Sequence, residues 1–503
     1  MNKKEKVDLL NNNTFVLLVV NCIISIVFYS ITLSAKHYSA DFFSTYYESS
    51  ANQHLRLGRI FHYIIYKGLE CFGIKIEHHV LFNQAFLIFI IAMLTTLLWN
   101  LFSELIGVEN KRDAAVLDAV IWLNFFNISI LEGWFLFPET CFGAAISLMI
   151  SYGAIISFCK SIDWKGYLKT FLLLVVALGM YQVYIEIFLI ITATYVLIKN
   201  QCVLTRKTIF DFLKIVMIGG AASIVSILII KFLKICKISS GDSRTVVLDK
   251  NIIIHNSIEI ARDFCGAIDD YCRYLPKHSA LIFLLIILGI LILSWYKEKK
   301  FVLRCVTLLI FIIACVIAAY LPHFIVSTLW LSPRTILGIS SLIFSICIIT
   351  FTYSKHENVE KSIFAIFLML FLFVNFIQAQ KIIVNNAILA GIEEENVHQL
   401  GEKIKEYEQS TGNQIKYISY EKDANCKWTF DPIEYCIYDT NLRRANVEWT
   451  FVNMINYYLK RNFKEKKFKE DKFERLFGSK NWDYIELDEQ IYFEGDTVYI
   501  AVY

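Results

Sequence analysis

Long stretches of apolar residues, almost free of charge, are the feature that most limits how this chain can fold. About 18 or more such residues in a row are what a helix needs to cross a hydrocarbon layer about 30 Å thick. Of the 503 residues, 56% are hydrophobic and 19% are charged, whereas a soluble domain has about a quarter of its residues charged. The pattern predicts an all-α polytopic membrane protein.

Eleven segments are long and apolar enough to cross, or nearly cross, a bilayer. The stretch 167–198 is too long for one span and short for two, and the polar Tyr181-Gln182 step in its middle predicts a tight reversal. The predicted spans are 14–35, 80–102, 114–131, 138–159, 168–181, 183–199, 209–233, 279–296, 301–321, 335–352 and 362–380. An odd number of spans places the two ends of the chain on opposite sides.

Lysine and arginine residues in the short connections set the predicted orientation, because they are retained on the cytoplasmic side. With eleven spans they fall on alternate connections, beginning with Lys3, Lys4 and Lys6 before the first span. We therefore predict a multi-pass protein of the bacterial plasma membrane with a cytoplasmic N-terminus. Loop 36–79, loop 234–278 and all residues after 380 are then on the outer side.

The chain changes character after residue 380, where charge rises and the long apolar runs stop. A run of mixed charge at 464–475 is predicted to be a solvated helix face. The other predicted elements are helices at 386–409 and 447–461 and strands at 414–420, 483–487 and 497–503. These patterns predict a transmembrane catalytic domain over 1–380 and a small extracytoplasmic α/β domain over 381–503.

The thirteen cysteines form no CxxC motif and no Cys/His cluster, and most lie inside apolar runs. We interpret them as small buried hydrophobic residues. Two pairs, Cys265 with Cys272 and Cys426 with Cys436, are close enough in sequence to form disulfides in an oxidising compartment.

Loop 36–79 holds the first candidate for chemistry. Asp41 follows the first span directly, Glu48 lies seven residues on, and Gly58-Arg59 opens an amphipathic stretch that suits a helix along the membrane interface. A carboxyl group beside apolar surroundings has a raised proton affinity, which suits a general base. On its own, Asp41 is explained equally well as a general base or as a structural residue that caps a helix or faces water.

Further polar side chains occur at the predicted outer ends of later spans. Glu132 and Glu139 flank an aromatic link with almost no room outside the membrane, and acids so placed are costly and usually mark functional sites. The alternative is that a backbone amide or a lysine satisfies each carboxylate. Tyr181-Gln182 lies at the predicted reversal, and Pro333-Arg334 opens the tenth span with a guanidinium suited to phosphate. The lysine-based topology brings these residues to the same side as Asp41.

Carboxylates and a cation at one side of a bundle that can hold a lipid tail suit transfer of a group from a lipid phosphate. A carboxylate removes a proton from the acceptor hydroxyl, while a guanidinium, or a metal ion held by the acids, stabilises the leaving phosphate. No Walker or GxGxxG motif is present for a nucleotide, and a net charge of only +3 gives no indication of a nucleic-acid partner.

With these motifs in this order, the chain resembles the bacterial O-antigen glucosyltransferases of Gtr type II, which belong to the GT-C class of membrane glycosyltransferases. Over most of residues 1–420, the resemblance rests on Asp41 followed by Gly58-Arg59, the Asn127…Glu132-x6-Glu139 link, Tyr181-Gln182, Pro333-Arg334 and an outer domain after the last span. One position departs from the family pattern. Phe42 stands where the family often has a second acid, and Glu48 is the candidate to replace it.

The resemblance implies that glucose is carried by undecaprenyl phosphate and transferred to a surface polysaccharide outside the membrane. It implies Asp41 as the general base and Arg334 as the residue facing the donor phosphate. Glu132 and Glu139 would place the sugar or, with Asp41, a divalent cation such as Mg²⁺ or Mn²⁺. The acceptor is an O-antigen, a teichoic-acid-like polymer or another glycan. The remaining predicted substrate-binding residues are Glu48, Arg59, Tyr181 and Gln182.

Two other functions remain open at the level of sequence. A surface-polysaccharide polymerase would need a large outer loop rich in arginine, and loop 234–278 contains Arg244, Arg262 and Arg273. A flippase or transporter of lipid-linked glycans would need acids at mid-membrane depth and internal repeats. The sequence has no convincing repeat, and its acids cluster at the ends of the predicted spans.

Overall fold

The computed structural model describes residues 3–35, 37–108, 110–238, 249–296, 298–354, 358–422, 440–478 and 487–502. These residues form two compact units. The first comprises residues up to 33 together with 50–135 and 140–380, and the second comprises 34–49, 136–139 and the chain from 381 onward. The predicted strand at 483–487, Arg244 and the Cys426–Cys436 pair lie wholly or largely outside the described residues.

Helices make up most of the described chain. In chain order they are α1 (Lys3–Ser34), α2 (Ala40–Tyr47), α3 (Ser50–Arg56), α4 (Ile60–Cys71), α5 (Val80–Ile106), α6 (Lys111–Trp122), α7 (Ile128–Ile130), α8 (Cys141–Lys160), α9 (Trp164–Met180), α10 (Tyr184–Lys199), α11 (Arg206–Ile235), α12 (Lys250–Asp270), α13 (Ser279–Tyr296), α14 (Phe301–Ala319), α15 (Gly338–Tyr353), α16 (Asn358–Thr411), α17 (Phe451–Leu459), α18 (Glu470–Phe477) and α19 (Leu487–Gln490). The strands are β1 (Tyr417–Lys422), β2 (Lys464–Glu465), β3 (Ile491–Glu494) and β4 (Thr497–Val502).

Seven helical segments of the described chain are long and apolar enough to cross a membrane. They are Thr14–Ser34, Val80–Ile106, Pro138–Lys160, Arg206–Ile235, Ser279–Tyr296, Phe301–Ala319 and Val359–Thr411. The shorter helices α9, α10 and α15 correspond to three more predicted spans, and the chain reverses between α9 and α10 at the predicted Tyr181-Gln182 step. The prediction of a mostly α-helical polytopic membrane protein with a small α/β part is confirmed.

The surface of α11 explains why these helices need lipid. Phe210, Met217, Ile224 and Phe232 are all exposed, and they are spread along the whole helix. Soluble monomers rarely expose a continuous apolar surface of this extent, because water does not solvate it favourably. In a bilayer the same side chains face hydrocarbon, so the exposed apolar stripe is compatible with a stable fold.

The third predicted span, 114–131, differs from the structure because α6 ends at Trp122. Beyond it the chain forms turns, the short α7, a π-helical turn at Leu131–Phe135 and a 3-10 turn at Pro138–Thr140. Asn127 explains the break, since its Oδ1 accepts from the N–H of Ile130 at 3.1 Å and its Nδ2 donates to the carbonyl of Leu123 at 3.1 Å. Irregular backbone is tolerated in a membrane protein where protein groups satisfy it in this way.

The close packing of α14 against α15 depends on Gly338. A Cβ atom at this position would lie 2.5 Å from Cα and 2.6 Å from Cβ of Ala319. We expect Gly338→Ala to lower the free energy of unfolding by about 1–3 kcal/mol, because backbone on the opposite helix has to move. Unfolding of the purified protein in detergent, followed by circular dichroism, measures the change.

Gly289→Ala in α13 is the matched control for that substitution. Among the described residues, no atom lies within 4 Å of a Cβ placed there. Since alanine is the better helix former by about 1 kcal/mol, this variant should be as stable as the original chain or slightly more stable. Equal destabilisation by both variants would contradict the packing argument.

The second unit contains a four-stranded sheet in the order β2-β1-β4-β3 among its described residues. Strand β1 runs parallel to both β2 and β4, while β3 pairs with β4 in antiparallel register. A hydrophobic cluster packs Phe468 and Phe477 against Leu389, Tyr499 and Ala501. The interpretation of 464–475 as a purely solvated face is therefore wrong for Phe468, whose ring belongs to this core.

Cys265 and Cys272 are both free thiols, so the disulfide that the sequence allows between them is not formed in this structure. Cys272 is buried and Cys265 is exposed. The thiol of Cys272 thus fits the interpretation of most cysteines as small buried residues.

A buried ion pair links α16 to the segment before α17 within the second unit. The guanidinium of Arg444 donates from Nη1 to Oε2 of Glu393 at 3.0 Å and from Nη2 to Oδ1 of Asn386 at 3.0 Å. Its Nε–H donates to the carbonyl of Tyr38, and Oε1 of Glu393 accepts the N–H of Ala445 at 3.1 Å. Both charged side chains are almost fully buried, and these hydrogen bonds compensate for their lost hydration.

Removing one partner of this pair should be costly. We expect Glu393→Ala to lower the free energy of unfolding of the second unit by about 3–5 kcal/mol, because the Arg444 charge stays buried without its carboxylate. Limited proteolysis of the full-length protein in detergent, read as the rate of cleavage after residue 381, measures this effect.

The neighbouring Glu394 provides the control. Its side chain is 40% exposed and pairs with the exposed His398 at 3.8 Å, so Glu394→Ala should change the cleavage rate little. If Glu393→Ala also left the rate unchanged, the pair would not stabilise the unit.

Candidate functional site

Glu132 and Arg334 meet inside the first unit. Glu132 lies in the π-helical turn at Leu131–Phe135 and is fully buried. Its Oε2 accepts the backbone N–H of Arg334 at 2.8 Å, and its Oε1 lies 3.8 Å from Nη1 of the same residue. Next to it, a Cβ atom at Gly133 would be 3.0 Å from Cβ of Arg334, so glycine permits this close approach. The π-helical turn therefore holds the arginine through both its backbone and its charge.

The turn that carries Arg334 is held from the other side by His323. Residues Pro333–Thr335 form a single 3-10 turn, and a ring nitrogen of His323 lies 2.7 Å from the carbonyl oxygen of Thr335. The carbonyl of His323 accepts in turn from Nδ2 of Asn256 at 3.0 Å. His323 is thus a buried structural residue that holds this turn.

Tyr181 contacts both Arg334 and a second arginine, Arg59. Its hydroxyl donates to the carbonyl oxygen of Arg334 at 3.3 Å, and the guanidinium carbon of Arg59 lies 5.0 Å from the centre of its ring. Trp134 contacts the same ring edge-on, with the centroids 5.4 Å apart. We call Arg59, Glu132, Tyr181 and Arg334 the arginine cluster. Four of the predicted site residues therefore come together in one unit.

Gln182 and Glu186 follow Tyr181 in sequence but make different contacts. Gln182 is partly buried in the turn between α9 and α10. Glu186 is fully buried, and its Oε2 accepts the N–H of Gly338 at 2.8 Å. This bond satisfies the first amide of α15, which otherwise has no partner inside its own helix. Glu186 thus fixes the helix that follows the Arg334 turn.

Asp41 lies in the second unit, in the first turn of α2. Ser39 caps this helix through its Oγ, which accepts the N–H of Phe42 at 3.0 Å. The cap is therefore Ser39, so the interpretation of Asp41 as the helix cap is wrong. One carboxylate oxygen of Asp41, Oδ1, accepts the indole N–H of Trp449 at 3.1 Å.

Glu139 is close to the same helix start. It is buried, and its Oε1 accepts the hydroxyl of Ser39. Its Oε2 has no hydrogen-bond partner among the described residues. Asp41 and Glu139 interact electrostatically, so we call them the carboxylate pair. Glu48, in contrast, is exposed at the end of α2.

Phe42, the position where a second acid was expected, belongs to an aromatic cluster of the second unit. Its ring stacks on Tyr38 with the centroids 4.2 Å apart and meets Tyr457 edge-on at 5.3 Å. The side chain is 2% exposed, so a carboxylate in its place would be buried among rings. The departure from the family pattern therefore has a packing role here.

Two histidines were missed by the sequence analysis. His54 and His62 are buried with ring centroids 4.8 Å apart, and a ring nitrogen of His62 lies 2.8 Å from Oγ of Ser147. Burial and the neighbouring Arg59 guanidinium lower the pKa of His62 to about 3, and burial with the His62 ring lowers the pKa of His54. Both rings are thus neutral at ordinary pH. The apolar residues of α4 predicted a helix along the membrane interface, and this pattern gives no role to His62. Ile64, one of these apolar residues, is exposed.

Of the three acids predicted as metal ligands, Glu132 belongs to the first unit, and Asp41 and Glu139 belong to the second. Within the described ranges, no three His, Cys, Asp or Glu side chains are placed to hold a metal ion. Glu132 is moreover engaged with Arg334. The Mg²⁺ or Mn²⁺ ion therefore stays a prediction from the sequence.

A family model described as glucosyl transferase GtrII matches residues 29–342, which is more than half of the chain. The chain belongs to the GtrII glucosyltransferase family. The predicted family is thereby confirmed, and the protein is a membrane glycosyltransferase that acts on glucose. Comparisons with curated proteins and with solved structures find no match. The arginine cluster and the carboxylate pair both lie inside the matched region of this GtrII-family chain.

Proposed function

We propose that this glucosyltransferase takes glucose from a polyprenyl-phosphate donor and transfers it to a surface polysaccharide on the outer side of the bacterial plasma membrane. The observation that carries the proposal is the arginine cluster, in which one tyrosine joins Arg59 and Arg334. The two arginines suit the phosphodiester of such a donor, which carries one negative charge and gains a second as the sugar leaves.

The electrostatics of the cluster favour an anionic ligand. Arg334 is partly exposed, and the ion pair between its Nη1 and Glu132 is long at 3.8 Å. A phosphate oxygen at the usual 2.7–2.9 Å for a charge-assisted hydrogen bond would interact more strongly than this carboxylate does. Glu132 then acts as a positioning residue, because it holds the backbone N–H of Arg334 at 2.8 Å.

The proposed reaction is a single displacement at the anomeric carbon of glucose. The oxygen of the acceptor hydroxyl forms the new bond to that carbon. The family resemblance supports Asp41 as the group that accepts the proton of this hydroxyl. The bond from the carbon to the phosphate oxygen breaks, and the electron pair leaves with polyprenyl phosphate. Arg334 and Arg59 stabilise the negative charge that develops on the leaving phosphate.

The orientation, and the choice of a lipid-linked over a nucleotide-linked donor, are supported by the sequence. Lysine and arginine on alternate connections support a cytoplasmic N-terminus. The lack of a nucleotide-binding loop in the sequence supports a lipid-linked donor. Both features agree with a GT-C-type enzyme that works outside the cell, where nucleotide sugars are not supplied.

Reconstitution tests the donor directly. The purified chain in proteoliposomes is given polyprenyl-phosphate-[¹⁴C]glucose or UDP-[¹⁴C]glucose, with surface polysaccharide from a strain that lacks the protein as acceptor. We expect label to enter the polysaccharide from the lipid donor alone. Transfer from UDP-glucose at an equal rate would overturn the assignment of the donor.

Glycan composition separates this function from the two alternatives. A deletion strain should lose a glucose branch and keep its long chains. Loss of long chains on a gel would favour a polymerase, whereas glycan missing from the surface together with lipid-linked glycan retained inside the cell would favour a flippase or transporter.

A further inference from the structure

Trp449 combines wide exposure with a fixed orientation. Its side chain is 60% exposed, although tryptophan usually buries most of its surface. The indole N–H donates to Oδ1 of Asp41 at 3.1 Å. The residues on either side are held as well, since the hydroxyl of Thr450 donates to the carbonyl of Ala40 at 2.9 Å and the hydroxyl of Tyr420 donates to the carbonyl of Glu448 at 2.6 Å. The indole face is thus presented to its surroundings by a braced segment.

The partner of the indole N–H limits which ligands the exposed face of Trp449 can bind. A tryptophan at a membrane interface places its ring in the lipid and keeps its N–H for water or headgroups. Here Asp41 takes the N–H, and its carboxylate stands beside the ring. A ligand at this place would meet an apolar aromatic face next to a carboxylate, whose two oxygens can together accept several hydrogen bonds.

A sugar ring matches that pair of surfaces. One face of a hexose carries mostly C–H groups, which pack on an aromatic ring, while its edge carries hydroxyl groups that donate to carboxylates. A negatively charged sugar would be repelled by Asp41. We propose that Trp449 and Asp41 form a subsite for a neutral sugar unit of the acceptor glycan, with Trp449 as the stacking platform.

This subsite rests on the proposed function, in which Asp41 takes the proton of the acceptor hydroxyl. Trp449 has two separable effects. Its ring holds the acceptor, and its N–H fixes the carboxylate. Replacement of the ring should therefore raise the KM for the acceptor, whereas loss of the N–H alone should lower kcat.

Kinetics of the reconstituted full-length chain test both effects, with polysaccharide from the deletion strain as acceptor. Trp449→Leu should raise the acceptor KM about tenfold and leave the donor KM unchanged. Trp449→Phe should keep the acceptor KM within about twofold and lower kcat severalfold. Tyr492→Ala, which removes another exposed ring of the second unit, is the control and should behave like the original chain. An unchanged acceptor KM in Trp449→Leu would overturn the subsite.

Fluorescence tests binding without catalysis. The emission that distinguishes the original chain from Trp449→Phe should be quenched by acrylamide, and the same polysaccharide should protect it. The protection should persist in Asp41→Asn, whose side-chain oxygen still accepts the indole N–H. Quenching by brominated lipid in place of acrylamide would assign Trp449 to the membrane surface and overturn the subsite. Protection together with no transfer from the lipid donor would overturn the proposed reaction and leave the subsite standing.

Discussion

Asp41→Asn is expected to reduce glucose transfer by about 10²–10⁴-fold, the usual contribution of a general base. The substitution keeps the size of the side chain and an oxygen for the N–H of Trp449, which Oδ1 accepts at 3.1 Å. Folding should therefore be preserved while the proton acceptor is lost. The rate of transfer by the purified variant, with its unfolding temperature measured alongside, checks the prediction.

Asp471→Asn makes the same chemical change at an exposed carboxylate of α18 in the second unit, and it should transfer glucose normally. In cells, a deletion strain complemented with Asp41→Asn should have the glycan of the deletion strain. Full glycan modification by that strain would remove Asp41 from the proposed reaction.

Arg334→Met should lower kcat/KM for the lipid donor by about 10²–10³-fold, as expected for removal of one group that stabilises developing negative charge. Methionine keeps much of the arginine stem, and the backbone N–H that Glu132 holds at 2.8 Å is unaffected. Arg334→Lys should recover only part of the activity, because an ammonium group lacks the planar fork of donors. Initial rates at varied donor concentration measure both variants.

The control for this series is Arg206→Met at the exposed start of α11, which should leave the donor kinetics unchanged. A donor kcat/KM in Arg334→Met equal to that of Arg206→Met would mean that the arginine cluster does not bind the phosphate.

Local signals in the sequence predicted much of the fold. Most predicted spans correspond to helices, and the reversal at Tyr181-Gln182 was predicted because two polar residues interrupt an apolar run. The end of α6 at Trp122 was missed because hydropathy counts Phe125 and Phe126 as membrane residues. Asn127, which caps α7 and ties the turn to Leu123, was the available signal.

The candidate site was harder to predict because its contacts join distant residues. The bond between Trp449 and Asp41 spans most of the chain, and no periodicity relates the two positions. The pairing of His54 with His62 was not predicted, because the sequence pattern of α4 indicates only an amphipathic helix. The sequence predicted only that Glu132 and Arg334 lie on the same side of the membrane. The structure shows the hydrogen bond between them.

The π-helical turn at Leu131–Phe135 makes the length of this segment as important as its composition. A π-helical turn contains one residue more than an α-helical turn. Deletion of Gly133, Trp134 or Phe135 would restore α-helical spacing and rotate the side chains before the turn by about 100° relative to those after it. Glu132 would then point away from Arg334. Substitutions in this stretch can accumulate among relatives, but insertions and deletions should be rare there, and an alignment without gaps would mark the functional members of the family.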